Sequence, residues 1–133
     1  MAIIVDADVI IAGEKGKFDL PNWVESNGDE LVLIAAITMA EIWHGVARGT
    51  GIHGIRRADY LNKILEPLPV LPYTKQTSLI HARLWAELEQ AGTRIGYYDL
   101  IVAATALEHG AKVATFNVRH FRLVHGLQVI EPH

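Results

Sequence analysis

The chain has 133 residues, a formal net charge of −3, 50% hydrophobic residues, 20% charged residues and no cysteine. This composition is typical of a globular protein, and the length favours one domain. It excludes a disulfide framework and a thiolate metal site, and the negative charge argues against a protein that simply coats phosphate. No apolar run approaches the ~18 residues of a membrane span and no signal-peptide pattern opens the chain, so we expect a soluble cytoplasmic protein.

The first predicted element is a buried strand that ends at a carboxylate. Residues 3–5 form a β-branched run, Ile-Ile-Val, which is typical of a strand covered on both faces in a parallel sheet. Asp6 follows this strand, and a short helix is expected over 9–14. Ligands of open parallel sheets bind beyond the carboxyl ends of the strands. Asp6 therefore marks an edge where a metal or phosphate site is expected.

Helices and strands alternate along the next part of the chain. Asp19 is the predicted N-cap of a helix over 20–27, and the apolar run 31–36 predicts a second buried strand. Thr38 and Glu41 have the spacing of a capping box at the start of the following helix.

The second half of the chain continues the alternation. Gly49, Thr50 and Gly51 end the preceding helix. The later predicted elements are a helix over 53–65, a short strand over 69–72, a helix over 75–91, a nearly all-apolar helix over 99–108, a strand over 112–115, a basic loop over 117–126 and a final strand over 127–130. This order indicates βαβ units and an α/β fold with a mainly parallel sheet of four to five strands.

Three acids and one amide occupy the places where strands end or helices begin. Asp6 ends the first strand, and Glu41 lies in the first turn of the helix after the second strand. Asp99 opens the apolar helix, and Asn117 follows the strand over 112–115. In a parallel sheet all four would lie at the carboxyl edge, where oxygen ligands suit Mg²⁺ or Mn²⁺. Carboxylates ~4 Å apart repel by about 4 kcal/mol per pair at an effective dielectric near ~20, so such a cluster needs a cation or a shared proton.

Each of these residues also has a purely structural explanation. Asp6 would serve as the N-cap of the following helix, and Glu41 as the capping-box partner of its own helix. Asp99 would be a charge favoured by the helix dipole, and Asn117 a turn residue. Asp8 would be a surface acid. By the same reasoning, the arginines of the 53–65 helix and of the basic loop would be solvated.

Four motifs occur in order along the chain. They are Val-Asp-Ala-Asp-Val-Ile-Ile at 5–11, Thr-Met-Ala-Glu-Ile-Trp-His-Gly at 38–45, Tyr-Asp-Leu-Ile-Val-Ala-Ala-Thr-Ala at 98–106 and Thr-Phe-Asn-Val-Arg-His-Phe at 115–121. In these motifs the chain resembles the PIN-domain family, and within it the VapC-like toxins of bacterial toxin–antitoxin pairs. The resemblance implies a single three-layer α/β/α PIN domain over 1–133. It also implies Mg²⁺- or Mn²⁺-dependent endoribonuclease activity, in which metal-activated water hydrolyses RNA.

The resemblance assigns roles to individual residues. It maps three acidic positions, expected to be both catalytic and metal-binding, onto Asp6, Glu41 and Asp99. The fourth catalytic position falls on Asn117, where many members of the family carry Asp. The residues expected to support a ligand or the substrate are Asp8, Thr115, Arg119, His120 and Arg122.

The resemblance also implies partners. VapC-like proteins usually form homodimers and are inhibited by a cognate antitoxin whose tail lies across the active site. An apolar groove would be needed for that tail, and Trp43 and the 53–65 helix are candidates for its wall. Structured RNA such as tRNA or rRNA is the expected substrate, because its single-stranded loops are the usual targets of sequence-specific readers.

Two other functions are compatible with parts of the sequence. The run 6–9 matches the start of haloacid-dehalogenase-like phosphatases, in which the first Asp is the nucleophile. The later acidic motifs of that class, Gly-Asp-x-x-x-Asp or Asp-Asp, do not occur in this chain. The second alternative is a PIN-like module that binds RNA or protein without cutting, because Asn117 stands in place of an acid.

Overall fold

A five-stranded parallel sheet lies at the centre of the computed structural model, which describes residues 1–49 and 51–133. The strands are β1 (Ala2–Val5), β2 (Leu31–Ala35), β3 (Val70–Leu71), β4 (Lys112–Ala114) and β5 (Val129–Ile130). Their order across the sheet is β3-β2-β1-β4-β5, and every neighbouring pair is parallel. The carboxyl ends of all five strands therefore point to one edge.

Seven helices connect and cover these strands within the described residues. They are α1 (Ala7–Glu14), α2 (Leu20–Ser26), α3 (Ala36–Arg48), α4 (Gly51–Leu65), α5 (Lys75–Gln90), α6 (Tyr97–Glu108) and α7 (Val118–Phe121). Asp19 caps α2 as predicted, because its carboxylate accepts a hydrogen bond from the Asn22 N–H at 3.1 Å. None of the described helices is long and apolar enough to cross a membrane.

The core lies on both faces of the sheet, because successive side chains of β1 point to opposite sides. Ile3 and Val5 pack with residues of α1 to α4, whereas Ile4 packs with residues of α5, α6 and α7. All three side chains are at most 1% exposed. The predicted three-layer α/β/α fold with a parallel sheet is confirmed.

The predicted capping box at the start of α3 is wrong. The helix begins at Ala36, directly after β2, and its N-cap residue Ala35 makes no side-chain capping bond. Thr38 therefore lies inside the first turn and is fully buried, and Glu41 lies in the second turn. The tight passage from strand to helix overrides the local signal at 38–41. A reciprocal capping box exists instead at the start of α5.

Other differences concern the ends of helices and one loop. The segment 117–126, predicted to be a loop, contains the short helix α7, because the fully buried Phe121 fixes this turn against the core. Helix α1 begins at Ala7 rather than at residue 9, and α4 begins at Gly51 rather than at residue 53. Thr50, one of the predicted helix-ending residues, lies outside the described residues.

Candidate active site

Asp6 occupies the carboxyl end of the central strand β1. Its N–H donates to the Ala114 carbonyl at 2.9 Å, which ties the end of β1 to the end of β4. Its Oδ1 accepts from the Ala7 N–H at 2.8 Å, and its Oδ2 accepts from the Thr115 hydroxyl at 2.9 Å. The side chain is 5% exposed. Asp6 is therefore the N-cap of α1, and its second oxygen also joins a polar cluster.

Thr115 connects the two ends of the chain at this site. Its buried hydroxyl lies 2.9 Å from Asp6 Oδ2 and 3.3 Å from Asp8 Oδ2, and it accepts a hydrogen bond from the Asn117 N–H at 2.9 Å. The Phe116 N–H donates to Asp8 Oδ2 at 3.1 Å. Asp8 is therefore bonded to the 115–116 segment, unlike the solvated surface acid of the alternative explanation.

Asp99 reaches the same edge from the first turn of α6. The Asn117 Nδ2 lies 3.4 Å from Asp99 Oδ2 and 2.8 Å from the Nδ1 of His120. The Asn117 side chain makes no cap for α7 and instead bridges the Asp99 carboxylate and the His120 ring. The structure thus places Asp99, Asn117 and His120 in one hydrogen-bonded group.

Glu41 completes the acidic cluster from α3. Its Oε1 is buried and has no hydrogen-bond partner within the described residues. Burial raises its pKa to about 7, and the negative charges of Asp6, Asp99 and Asp8 add to this effect. An unpartnered buried carboxylate oxygen is unfavourable unless a proton or a cation compensates it.

The other three acids of the cluster, Asp6, Asp8 and Asp99, also have raised pKa values. Burial raises the pKa of Asp6 to about 6, opposed by the Thr115 hydrogen bond and reinforced by Asp99. Burial and the charge of Asp6 raise the pKa of Asp8 to about 6. Burial and the charge of Asp8 also raise the pKa of Asp99, opposed by Asn117 and His120. In the part of the chain that the structure describes, no salt bridge reaches any of these four acids. Such perturbed groups in one cluster are typical of functional sites.

Comparison with known proteins identifies the family of the chain that carries this acidic cluster. The sequence model of the PIN domain matches residues 3–126. This chain belongs to the PIN-domain family. A VapC ribonuclease of Sinorhizobium fredii is 34% identical to it over 138 residues, which cover 98% of this chain and 96% of the relative. Ribonuclease VapC1 of Rickettsia felis is 29% identical over 131 residues, with the same coverage of both chains.

A solved structure agrees with these relatives at the level of the fold. The VapBC2 complex of Rickettsia felis, bound to a DNA fragment from its promoter, contains a chain that superposes with a TM-score of 0.91. That chain is 22% identical to this PIN domain, and the match covers 100% of both chains. The resemblance to VapC-like PIN domains that the four motifs indicate is confirmed.

The donor chemistry of this PIN domain fits a divalent cation. Four carboxylates present oxygen atoms, the ligands that Mg²⁺ and Mn²⁺ prefer, and the Glu41 Oε1 has no protein partner among the described residues. Over residues 1–49 and 51–133, no three acidic, histidine or cysteine side chains are already gathered to hold a metal ion.

The remaining predicted residues lie around this cluster or away from it. Arg119 is exposed on α7, next to His120. Trp43 is half-buried and packs against the core on the α1–α4 side of the sheet. Arg57 is not simply solvated, because its Nε lies 2.7 Å from Glu14 Oε1.

Sequence reasoning missed one feature beside the site. An aromatic cavity lies next to His120, and Trp85 and Tyr97 form part of its lining. The spacing of His81 and Trp85, four residues apart in a strong helical pattern, was the available signal.

Proposed function

We propose that this PIN domain is a metal-dependent endoribonuclease and the toxin of a VapBC-like toxin–antitoxin pair. The observation that carries the proposal is the cluster of four carboxylates with raised pKa values at the carboxyl edge of the sheet, two of which, Asp6 and Asp8, contact the buried Thr115 hydroxyl. The names of both relatives, which are ribonucleases, support the reaction. The proposal treats residues 1–133 as a single PIN domain that acts in the cytoplasm.

Asp6, Glu41 and Asp99 would hold Mg²⁺ or Mn²⁺ in this function. When bound, such an ion lowers the pKa of water and neutralises charge on a scissile phosphate. The Thr115 hydroxyl positions one of these ligands, because it fixes the second oxygen of Asp6. Arg119, exposed beside the cluster, is placed to offset the charge of the RNA backbone, and His120, also exposed there, is placed to form a hydrogen bond with the substrate.

Asn117 has a positioning role in the proposed enzyme. Its amide supplies no ligand charge, but its Nδ2 approaches Asp99 Oδ2 at 3.4 Å and so orients that carboxylate. The same neutral amide also favours the second candidate function, a PIN module that binds RNA without cutting it. The presence of three other acids beside Asp99 argues for the enzyme.

The proposed partners are a cognate antitoxin, a second copy of the chain and an RNA substrate such as tRNA or rRNA. The superposed chain of Rickettsia felis comes from a VapBC complex, which supports an antitoxin partner. The exposed Ile52 and Ile55 on α4 offer apolar surface for a bound peptide segment.

Cleavage of total cellular RNA by antitoxin-free protein tests the proposal. The wild-type protein should make discrete cuts with Mg²⁺ or Mn²⁺ and none with EDTA, and Asp99→Asn should abolish them. Asp29→Asn, which changes an exposed acid in a turn, is the matched control and should cut normally.

A second measurement separates the two candidate functions. Calorimetric titration with Mn²⁺ should show binding to the wild-type protein that weakens in Asp6→Asn. RNA binding without cuts under any metal would establish the non-catalytic module. Cuts that survive in EDTA or in Asp99→Asn would contradict the assigned site.

A further inference from the structure

A row of aromatic side chains leads along α5 toward the candidate active site. The Tyr73 hydroxyl lies 2.9 Å from His81 Nδ1, and the His81 and Trp85 rings are stacked, with centroids 5.7 Å apart and planes at 15°. Trp85 in turn meets Tyr97 edge-on, with centroids 6.0 Å apart. Tyr73, His81, Trp85 and Tyr97 are called the aromatic row below.

The rings of the aromatic row contact one another, although much of their surface faces solvent. Trp85 is 45% exposed and Tyr97 is 70% exposed, yet contacts on two sides hold the Trp85 ring. A contiguous patch of exposed aromatic rings is typical of a surface that binds a ligand or a partner. A fixed ring also loses little conformational entropy when something binds to it.

Trp85 and Tyr97 border a cavity of about 480 Å³ that is also lined by Gly96, and a Cβ atom on Gly96 would lie 3.6 Å from Asp99 Oδ2. His120 lines this cavity and lies 2.8 Å, through its Nδ1, from the Asn117 amide that approaches Asp99. The volume lies in the range of sites that bind small molecules, roughly 300–1,000 Å³. A group held in the cavity would therefore be a direct neighbour of a group at the acidic cluster.

The charges around the cavity indicate what it binds. Arg94 and Glu89 both line it, so their formal charges cancel and the cavity does not favour a bare phosphate. Thr93 adds a hydroxyl. Hydrogen-bond donors and acceptors around aromatic surface are what an unpaired nucleobase needs, since it offers a flat face and a polar edge.

We propose that this cavity holds one unpaired base of the RNA, next to the bond that is cut, with the base stacked on Trp85 or Tyr97. This inference rests on the proposed function and deepens it. It makes the substrate single-stranded at the cut, because a base inside a duplex cannot present its face to a side chain. A second copy of the chain is the competing occupant of the aromatic row. RNA is favoured because His120 and Gly96, which line the cavity, lie beside Asn117 and Asp99.

RNA binding by exposed-residue variants tests the proposal in an Asp99→Asn background, so that the probe stays intact. The probe is a short labelled RNA of random sequence, used single-stranded and as a duplex. Single-stranded RNA should bind more tightly, and Trp85→Ala or Tyr97→Ala should each weaken its binding roughly tenfold. Trp85→Phe should keep most of the affinity. Leu31→Ala, which truncates a side chain 56% exposed at the opposite edge of the sheet, is the matched control and should bind normally.

Tryptophan fluorescence provides a second readout that a purely structural role would not change. RNA should quench the fluorescence of the Asp99→Asn protein, and Trp85→Phe should remove this quenching while RNA still binds. Binding that is unchanged in both alanine variants would overturn the proposal. Sedimentation that shows Trp85→Ala converting a dimer to a monomer, with unchanged RNA affinity per chain, would assign the row to a protein interface instead.

The outcomes for the cavity and for the nuclease are separable. If Trp85→Ala and Tyr97→Ala cleave and bind RNA as the wild-type protein does, the proposal that the cavity binds a base is wrong, and the proposed nuclease activity is unaffected. If RNA binding depends on the aromatic row but the wild-type protein never cuts RNA, the proposed nuclease activity is wrong, and the proposal that the cavity binds a base is unaffected.

Discussion

The pKa values of carboxyl groups are shifted in opposite directions at the two edges of the parallel sheet. At the amino edge, Glu30 lies 3.3 Å from Lys112 Nζ and 3.5 Å from the Met1 ammonium. Desolvation acts to raise the pKa of Glu30, but the hydrogen bond and charge of Lys112, together with the N-terminal ammonium, outweigh it and lower the pKa. At the carboxyl edge, Asp6 and Glu41 have raised pKa values and no salt bridge within the described residues.

This difference separates a stabilising charge from a functional one. An acid that contributes to stability is paired with a base, and its charged form is favoured in the folded state. Four acids that raise one another's pKa without a base nearby destabilise the ionised fold, so the rest of the protein must keep them at this edge. The contacts that do so here are the Thr115 hydroxyl, the ties between β1 and β4 and the burial of the strand ends.

The largest expected contrast between the edges is in RNA cleavage. Asp6→Asn should reduce cleavage at least ~10²-fold, because a metal-bound transition state loses several kcal/mol when a ligand charge is removed. Glu30→Gln should cleave like the wild-type protein. Initial rates of RNA cleavage in Mg²⁺ measure both variants. If Asp6→Asn and Glu30→Gln reduce the rate of RNA cleavage equally, the carboxyl edge is not the reaction site.

Removal of the hydroxyl that joins Asp6 and Asp8 should have the next largest effect. Thr115→Val leaves the Asn117 N–H without its acceptor and Asp6 Oδ2 without its donor. Loss of such a supporting contact typically weakens metal affinity ~10–100-fold. Calorimetric titration with Mn²⁺ measures the change, and Thr115→Ser should restore affinity. Weak binding by Thr115→Ser as well would show that the threonine methyl, and not the hydroxyl, is what matters.

The pH dependence of stability should differ between the edges by a smaller amount. The pKa of Asp6 is raised from 3.8 to about 6, so its protonated form stabilises the fold below pH ~4, and this stability is lost as the pH rises through about 6. In EDTA, the free energy of unfolding of the wild-type protein should therefore fall across this window, with Asp6 contributing on the order of 2 kcal/mol.

Urea unfolding of the wild-type and Asp6→Asn proteins between pH 4 and 7 measures this slope. The slope should be shallower in Asp6→Asn. Burial lowers the pKa of His81 and gives the opposite dependence, but it acts in both proteins and cancels in their difference. Parallel curves would show that folding does not raise the pKa of Asp6. Mn²⁺ should stabilise the wild-type protein more at pH 7 than at pH 5, because protons compete with the ion.

The smallest expected effect is at the amino edge. Glu30→Gln removes two ion pairs at the protein surface, and such pairs contribute little to stability. Thermal unfolding should show a slight decrease in Tm that disappears in high salt. A decrease that persists in high salt would assign Glu30 a packing role.

The sequence predicts the carboxyl edge well where local patterns agree with the fold. The β-branched run of β1 and the carboxylate that ends it follow from residues 3–6 alone. Asp99 is placed correctly because the apolar helix behind it is unmistakable. Whether Asp6, Glu41 and Asp99 act as catalytic ligands remains a prediction.

The rest depends on contacts between distant residues. The role of Thr115 as the common partner of Asp6 and Asp8 follows from the pairing of β1 with β4, which local patterns do not encode. The spacing of Thr38 and Glu41 wrongly predicts a capping box, because α3 begins directly after β2 without an intervening turn. Helix α7 is missed because four basic or polar residues surround its single core anchor, Phe121.

The bond between Thr115 and Asp6 spans 109 positions of the chain, and this distance affects how the protein is made. During translation, Asp6 leaves the ribosome long before Thr115, so the hydrogen bond between their side chains forms only after most of the chain has been made. If the proposed nuclease depends on this bond, the nascent polypeptide is inactive for most of its synthesis.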